Sequence, residues 1–378
     1  MTMTRRQRLM ATLEGKAVDR PAVSFYEIEG YSQRSDNPSP FNIHSHPSWK
    51  STLELAANCS DRIIRRYPRL LNAPADPAAG LTTWESHVDE NGSQWTTLTI
   101  RAGSRTLTQR SRRDRDVDTV WTVEHLLKDE DDLDAYLSLP EPTFGGKVDA
   151  TGILADEQAI GDSGIVMIDT GDPLCAVASR FDMGTYTVIA LTNPELFHRA
   201  LEREARWYHP LTEAVAKALP GRLWRIYGPE FASPPYLPPR LFAEYAMRYT
   251  QPMIQSINRH GGYPRVHSHG RLRDVLGHIA AAGAVGLDPV EPPPQGDVSL
   301  QYVRENFGRQ MVLFGNLEAS DLENLPADQW RAKVQTALDE GAAGEGRGFV
   351  LMPSACPYGR VLGERAKRNY EIMIEATR

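Results

Sequence analysis

The sequence predicts an α/β fold, a (β/α)8 TIM barrel with a β-hairpin insertion between early strands. Three observations carry this expectation. Eight short apolar, β-rich runs recur along the chain, the number that closes a parallel barrel. Helix-patterned stretches separate them, and from about Leu223 onward the βαβα alternation is regular. Most of the runs are continuously apolar, as strands covered on both faces are. The length of 378 residues suits two or three ordinary domains, but one barrel also reaches it.

The elements follow in order. The opening MTMTRRQRLMATLEG places Leu9, Met10 and Leu13 at helical spacing and lacks the unbroken apolar core of a signal peptide. The first strand is Ala22–Tyr26 (AVSFY) and the second Arg62–Tyr67 (RIIRRY), the least apolar of the eight. Trp84–Arg113 breaks the rhythm: Asn91-Gly92 followed by SQWTTLTIRAG and SRTLTQR reads as antiparallel hairpins. With the charged RRDRDVD and KDEDDLD behind it, 85–160 is expected to be a β insertion and acidic connector within a single barrel domain spanning 1–378. Ile165–Asp169 (IVMID) is the third strand. Asn193-Pro194-Glu195 then gives a helix start, with a capping residue, Pro in the first turn and an acid beside it. That helix should stop at Pro220-Gly221 and kink or break at Pro210. The remaining strands are Leu223–Tyr227, Tyr263–His267, Ala284–Asp288, Met311–Gly315 and Phe349–Pro353, with helices over Asp328–Glu340 and Arg360–Ala376.

Composition narrows the function. Against 42 Lys+Arg stand 49 Asp+Glu, a net charge of −7, which argues against a general nucleic-acid binder. No apolar run of about 18 residues is available to span a bilayer. Cys59, Cys175 and Cys356 are too few and scattered for a disulfide framework, so a cytoplasmic protein is expected. Dinucleotide, P-loop and α/β-hydrolase motifs are all missing.

The sharpest chemical pattern is His267-Ser268-His269-Gly270 at the C-terminal end of a predicted strand. Residues two apart on an extended chain point the same way, so both imidazoles can face one ion. Strand C-termini carry the active site in such barrels. Cys356 follows the last strand on the same face, and two histidines with a thiolate make a zinc site with an open position. Two surface histidines and an inert thiol are the plain alternative. Glu230 after the fourth strand, Glu27 and Glu29 after the first, and Asp169 and Asp172 after the third place acids over the same mouth. Turns and helix caps would account for such acids equally well. His44 and His46, in SPFNIHSHPSWK, follow no apolar strand and are read as structural or surface residues.

The opening RRQRLMATLEGKAVDRPAVSFYE resembles the start of the uroporphyrinogen decarboxylase superfamily. The resemblance continues through NPELFHRALER, GPEFASPPYLPPRLFAEY, YPRVHSHGRLRDVL, FGNLEAS and FVLMPSACPYG, nearly everything outside 85–160. It implies a (β/α)8 barrel and one of two activities, decarboxylation or zinc-dependent methyl transfer with a corrinoid protein or a thiol. The methyltransferase branch is nearer. There His267 matches the first metal ligand of a His-x-Cys pair, His269 stands at the Cys, Cys356 matches the second Cys, and Glu230 falls at an acid near the metal. True decarboxylases carry arginines after the first strand for the substrate's propionates. FYEIEGYSQ has acids there and would repel a polycarboxylate tetrapyrrole.

The resemblance therefore implies zinc held by His267, His269, Cys356 and Glu230, and their strand-end positions over the mouth make Glu230 and Glu27 the expected catalytic acids. Tyr26, Asp169 and Asn316 are expected to line the substrate. An imidazole in place of a thiolate makes the metal more positive and favours polarising a leaving oxygen or nitrogen. Demethylation of a methoxy compound is thus expected, with a corrinoid (cobalamin), free or on a partner protein, as methyl acceptor. No nucleic-acid or membrane partner is expected, and a homodimer is left open. The alternatives are a metal-dependent hydrolase or other lyase on the same barrel, and a barrel that binds a ligand without turnover.

Overall fold

The structure, a computed structural model, describes residues 2–28, 36–344 and 346–378. The strands run β1 (Ala22–Val23), β2 (Arg62–Arg66), then an excursion through β3 (Arg69–Leu71), β4 (Thr82–Val88), β5 (Gln94–Ala102), β6 (Arg105–Arg113), β7 (Val120–Glu124) and β8 (Lys147–Asp149). The chain returns as β9 (Gly164–Gly171), β10 (Leu223–Tyr227), β11 (Tyr263–His267), β12 (Gly286–Asp288), β13 (Val312–Leu317) and β14 (Phe349–Pro353). Eight of these form one parallel sheet in the order β1-β14-β13-β12-β11-β10-β9-β2. From β2 to β14 each is a neighbour of the next in sequence among the eight, β14 pairs with β1, and Asp61 N–H bonds Val23 O at 2.7 Å across the β1–β2 seam; with helices between, this is the expected (β/α)8 barrel.

Period-two alternation sorts each strand into an inside and an outside. Ile63, Ile165, Met167, Leu223, Phe314 and Met352 meet within the barrel, closed at its N-terminal end by Leu9 and Leu13 of helix Arg5–Glu14. The alternate residues, such as Val166, Trp224, Ile226, Val266 and Leu351, join the larger core under the surrounding helices. The first helix is anchored by Arg8, whose guanidinium reaches Asp19 at 2.7 Å and the fully buried Asp61 at 2.5 Å. Among the described residues no helix is long and apolar enough to cross a membrane.

Several bounds differ from the sequence reading. β1 stops at Val23, because Ile28 N–H bonds back to Phe25 O and Glu27 takes a left-handed backbone (φ 62). Helix Pro194–Ala218 runs through Pro210 unbroken, since a long apolar face from Leu196 to Ala216 is packed on the barrel. The last helix begins at Glu364, not Arg360. Arg360 is instead a tie between loops, bonding Pro40 O at 3.1 Å and Asn42 O at 3.3 Å and donating its N–H to Asp116 O. The excursion begins at Arg69, earlier than 85: β3 and β8 pair antiparallel as its stem, and β4-β5-β6-β7 form a separate antiparallel sheet. That sheet meets the barrel through a bridge between Val117 and Gly359.

Candidate active site at the barrel mouth

The barrel interior changes character along its axis. Above the apolar layers, inward positions on β2, β10 and β11 carry Arg65, Arg225 and Arg265 in place of aliphatic residues. Each is matched to an acid. Arg225 grips Asp169 with two bonds of 2.7 and 2.9 Å, and Tyr67 donates to the same carboxylate at 2.7 Å. Burial pushes the Asp169 carboxyl up to about 6 against the pull of Tyr67 and Arg65, so it remains ionised at neutral pH. Arg65 bonds Glu27 at 2.6 Å. Arg265, fully enclosed, lies 2.9 Å from Asp288 and over the Phe314 ring. The Arg225 guanidinium also stacks near Tyr26 and Tyr227, at 5.4 and 5.5 Å from the ring centres. Asp169 and Tyr26 are thus part of a charge-balanced floor beneath the mouth, while Asn316 is half-buried near the end of β13.

His267 and His269 stand on this floor. Ser268 turns the opposite way, to Ser233 at 3.0 Å, and the two imidazoles meet edge to face at 4.7 Å. Each ring is fixed by a carboxylate. His267 Nδ1 bonds Asp288 Oδ2 at 2.7 Å, across the β11–β12 register, and His269 Nδ1 bonds Glu291 Oε1 at 2.7 Å. Tyr26 stacks on His267 at 6.3 Å. Burial alone would raise the Asp288 carboxyl, but Arg265 and His267 outweigh it and hold it at about 2. Burial disfavours a charged His269, yet the bond to Glu291, with the charges of Glu230 and Asp288, holds its pKa above the ordinary histidine value. A carboxylate on Nδ1 is how metal-binding histidines are oriented, and it would leave Nε2 of each ring as the donor to a metal ion. The donor chemistry of this pair fits zinc.

The third expected donor is engaged with an acid. Cys356 is half-buried with Sγ 3.6 Å from Glu27 Oε2, and burial with the charges of Glu27 and Asp118 pushes its thiol well up. Among the described residues no group of three or more His, Cys, Asp and Glu is arranged to hold a metal ion. The structure therefore brings His267 and His269 together and pairs Cys356 with Glu27. His44 packs edge-on against Trp49 at 4.8 Å, and His46 Nδ1 caps the turn at Ser48. Glu29 lies outside the described residues.

Glu230 sits on the turn after β10 and accepts from Gly228 N–H at 2.8 Å. Gly228 must be glycine: its φ is 128°, and a Cβ there would strike the Asp172 carboxylate. Asp172 is a cap, accepting from Cys175 N–H at 2.7 Å and Thr250 Oγ1 at 2.8 Å. Besides Asp288, two further acids escaped the sequence reading. Glu291 follows β12 in the proline-rich Asp288–Pro294, and Glu318 follows β13. Burial, with Glu291 and Asp321 nearby, pushes the Glu318 carboxyl up to about 7. The visible cue was position alone, an acid just past a barrel strand.

Comparison with known proteins completes the picture. The uroporphyrinogen decarboxylase (URO-D) family profile matches residues 123–378. No curated protein matches the chain. Among solved structures, a methyltransferase from Methanosarcina mazei superposes with a TM-score of 0.62 at 18% identity, covering 99% of this chain and 98% of that one. A D-psicose 3-epimerase from Clostridium cellulolyticum H10 reaches a TM-score of 0.34 at 11% identity, covering 59% of this chain and 80% of that one. With the profile spanning well over half of its length, the chain belongs to the uroporphyrinogen decarboxylase family.

Proposed function

We propose that this barrel is a metal-dependent methyltransferase that moves a methyl group from a small methylated substrate, a methoxy compound first, to a corrinoid, free or on a partner protein. The observation that carries this reading is the His267/His269 pair, each ring held by its own carboxylate, at the end of β11. The likeness to a methyltransferase over nearly the whole chain supports it. So does the sequence, whose first-strand exit lacks the arginines that a tetrapyrrole polycarboxylate needs.

Zinc, when bound, would be held by His267 and His269, with Glu230 and, once its thiol leaves Glu27, Cys356 as further donors, and would supply Lewis acidity to the substrate's heteroatom. The chain's own residues do the rest. Asp288 and Glu291 fix the tautomers of the two histidines. Tyr26, stacked on His267, gives the mouth a flat apolar wall for the substrate. The Arg225–Asp169 and Arg65–Glu27 pairs keep the floor rigid and neutral. Glu318, whose pKa is about 7, can hold a proton on its carboxyl for the departing oxygen, and Glu230 can complete the metal's donors or share that task.

The test is to incubate zinc-loaded and zinc-stripped protein with reduced cobalamin and a panel of methoxylated aromatics, methylamines and methyl thioethers. Formation of the methylcobalt spectrum only with zinc-loaded protein, and best with a methoxy compound, is expected. Demethylation by water without any corrinoid would make the protein a hydrolase instead.

A further inference from the structure

A cavity of about 760 Å³ separates the insertion sheet from the flank of the barrel. Its outer wall is one face of the sheet, where Trp84 on β4 stands opposite Leu98 on β5. Its inner wall is Tyr136 from helix Glu130–Leu137, with Trp207 and Tyr208 from helix Pro194–Ala218. The size and the aromatic lining are those of a small-molecule site. Trp84 remains 65% exposed, a large aromatic surface left open to solvent among the described residues.

The base of the cavity is charged, and unevenly so. The guanidiniums of Arg180 and Arg203 both lie over the Tyr136 ring, at 4.7 and 5.1 Å. Glu204 accepts from Tyr136 Oη at 2.9 Å and from Arg180 at 3.1 Å, so it is the acid of this base. Arg203 is buried and bonds the carbonyls of Leu139 and Pro140. Glu141, 3.7 Å from Arg203, is already gripped by Arg206 through two bonds of 2.7 and 2.6 Å. Asp76 is on the exposed rim, where water and salt screen it. Two guanidiniums therefore face one carboxylate beneath aromatic walls.

We propose that this cavity is a second binding site, separate from the barrel mouth, for a small planar aromatic anion such as an aryl carboxylate. Its ring lies between Trp84 and Trp207, and its anionic group is directed to the Arg180–Arg203 base. The site exists only because the β4–β7 sheet is inserted beside the barrel, and it does not depend on the activity assigned to the mouth.

Calorimetric titration of the full chain with 2-naphthoate and with its neutral analogue 2-naphthamide tests this. One naphthoate should bind per chain, and the amide should bind about tenfold more weakly or worse, the worth of one charge-assisted bond. Trp84→Ala, at an exposed position, should weaken naphthoate about 2- to 10-fold. Glu204→Gln keeps one oxygen, which can accept from both Tyr136 and Arg180 as Oε1 does, but removes the base's negative charge, so it should tighten naphthoate, a gain that misfolding cannot mimic. Absence of naphthoate binding, equal binding of the amide, or affinity indifferent to both substitutions would each overturn the proposal.

Discussion

Asp288 is the residue whose loss should be felt most widely. It is fully buried, accepts from His267 Nδ1 at 2.7 Å, and lies 2.9 Å from Arg265, itself fully buried. Asp169, the other acid near Arg265, is held by two bonds from Arg225 and cannot replace it. Asp288→Asn keeps the shape but removes the charge, leaving a guanidinium uncompensated in the barrel interior. Removing one partner of a buried pair costs about 3–5 kcal/mol, and the surviving amide places this change near the lower end, about 3 kcal/mol. It also unsets the His267 tautomer, which should weaken zinc binding about 10- to 100-fold. Urea unfolding followed by circular dichroism reads the first effect as a lower midpoint at constant slope, and zinc titration reads the second. The sign with pH is fixed: Asp288 is held at about 2, below its unfolded value, so its contribution is present above about pH 4 and fades as pH falls towards 2. The gap between wild type and variant should therefore narrow in acid. Adding Arg265→Met should restore part of the lost stability, because the two changes remove one pair. A midpoint shift worth less than about 1 kcal/mol, with zinc affinity unchanged, would refute the reasoning.

Three further outcomes are expected. Burial raises fully enclosed Asp172 to about 7, so its stabilising proton is held below that pH and lost above it. Wild type should lose on the order of 1 kcal/mol relative to Asp172→Asn between pH 6 and pH 8 in paired urea titrations. Zinc at about 100 times its dissociation constant should stabilise the chain by about 2.7 kcal/mol, seen as a higher thermal midpoint, and this gain should vanish in His267→Ala and His269→Ala. Cys356→Ala should weaken zinc binding while leaving the unfolding midpoint within about 1 kcal/mol, because the thiol is half-buried at the edge of the core beside Glu27 and one small atom is lost.

The barrel was legible because its strands announce themselves locally. Leu223–Tyr227, Tyr263–His267 and Phe349–Pro353 have the expected bounds, each a short β-rich run closed by Gly, Pro or a polar turn. RIIRRY looked like a poor strand for a reason the structure supplies. Arg65 points into the charged floor to reach Glu27, and Arg66 points out to Asp156 on helix Thr151–Ile160. The stem strands β3 and β8 were not legible, since three-residue partners far apart in sequence carry no period of their own. At the site, the histidine pair was readable from its spacing and strand position. Its partners were not: Asp288 meets His267 only through the β11–β12 register, and Glu291 reaches His269 from the loop after β12, where Val290 takes a left-handed conformation at φ 56°. The pairing of Cys356 with Glu27 is likewise tertiary, joining positions 329 residues apart.

The central claim is methyl transfer rather than hydrolysis, and one labelled turnover decides between them. Zinc-loaded protein would be given reduced cobalamin and a methoxy substrate carrying a deuterated methyl group, in water enriched in heavy oxygen, with products read by mass spectrometry. The account predicts that the deuterated methyl group appears on cobalt, that the demethylated product keeps its light oxygen, and that His267→Ala abolishes both products. Deuterated methanol in solution, with heavy oxygen incorporated and the cobalamin unchanged, would contradict it.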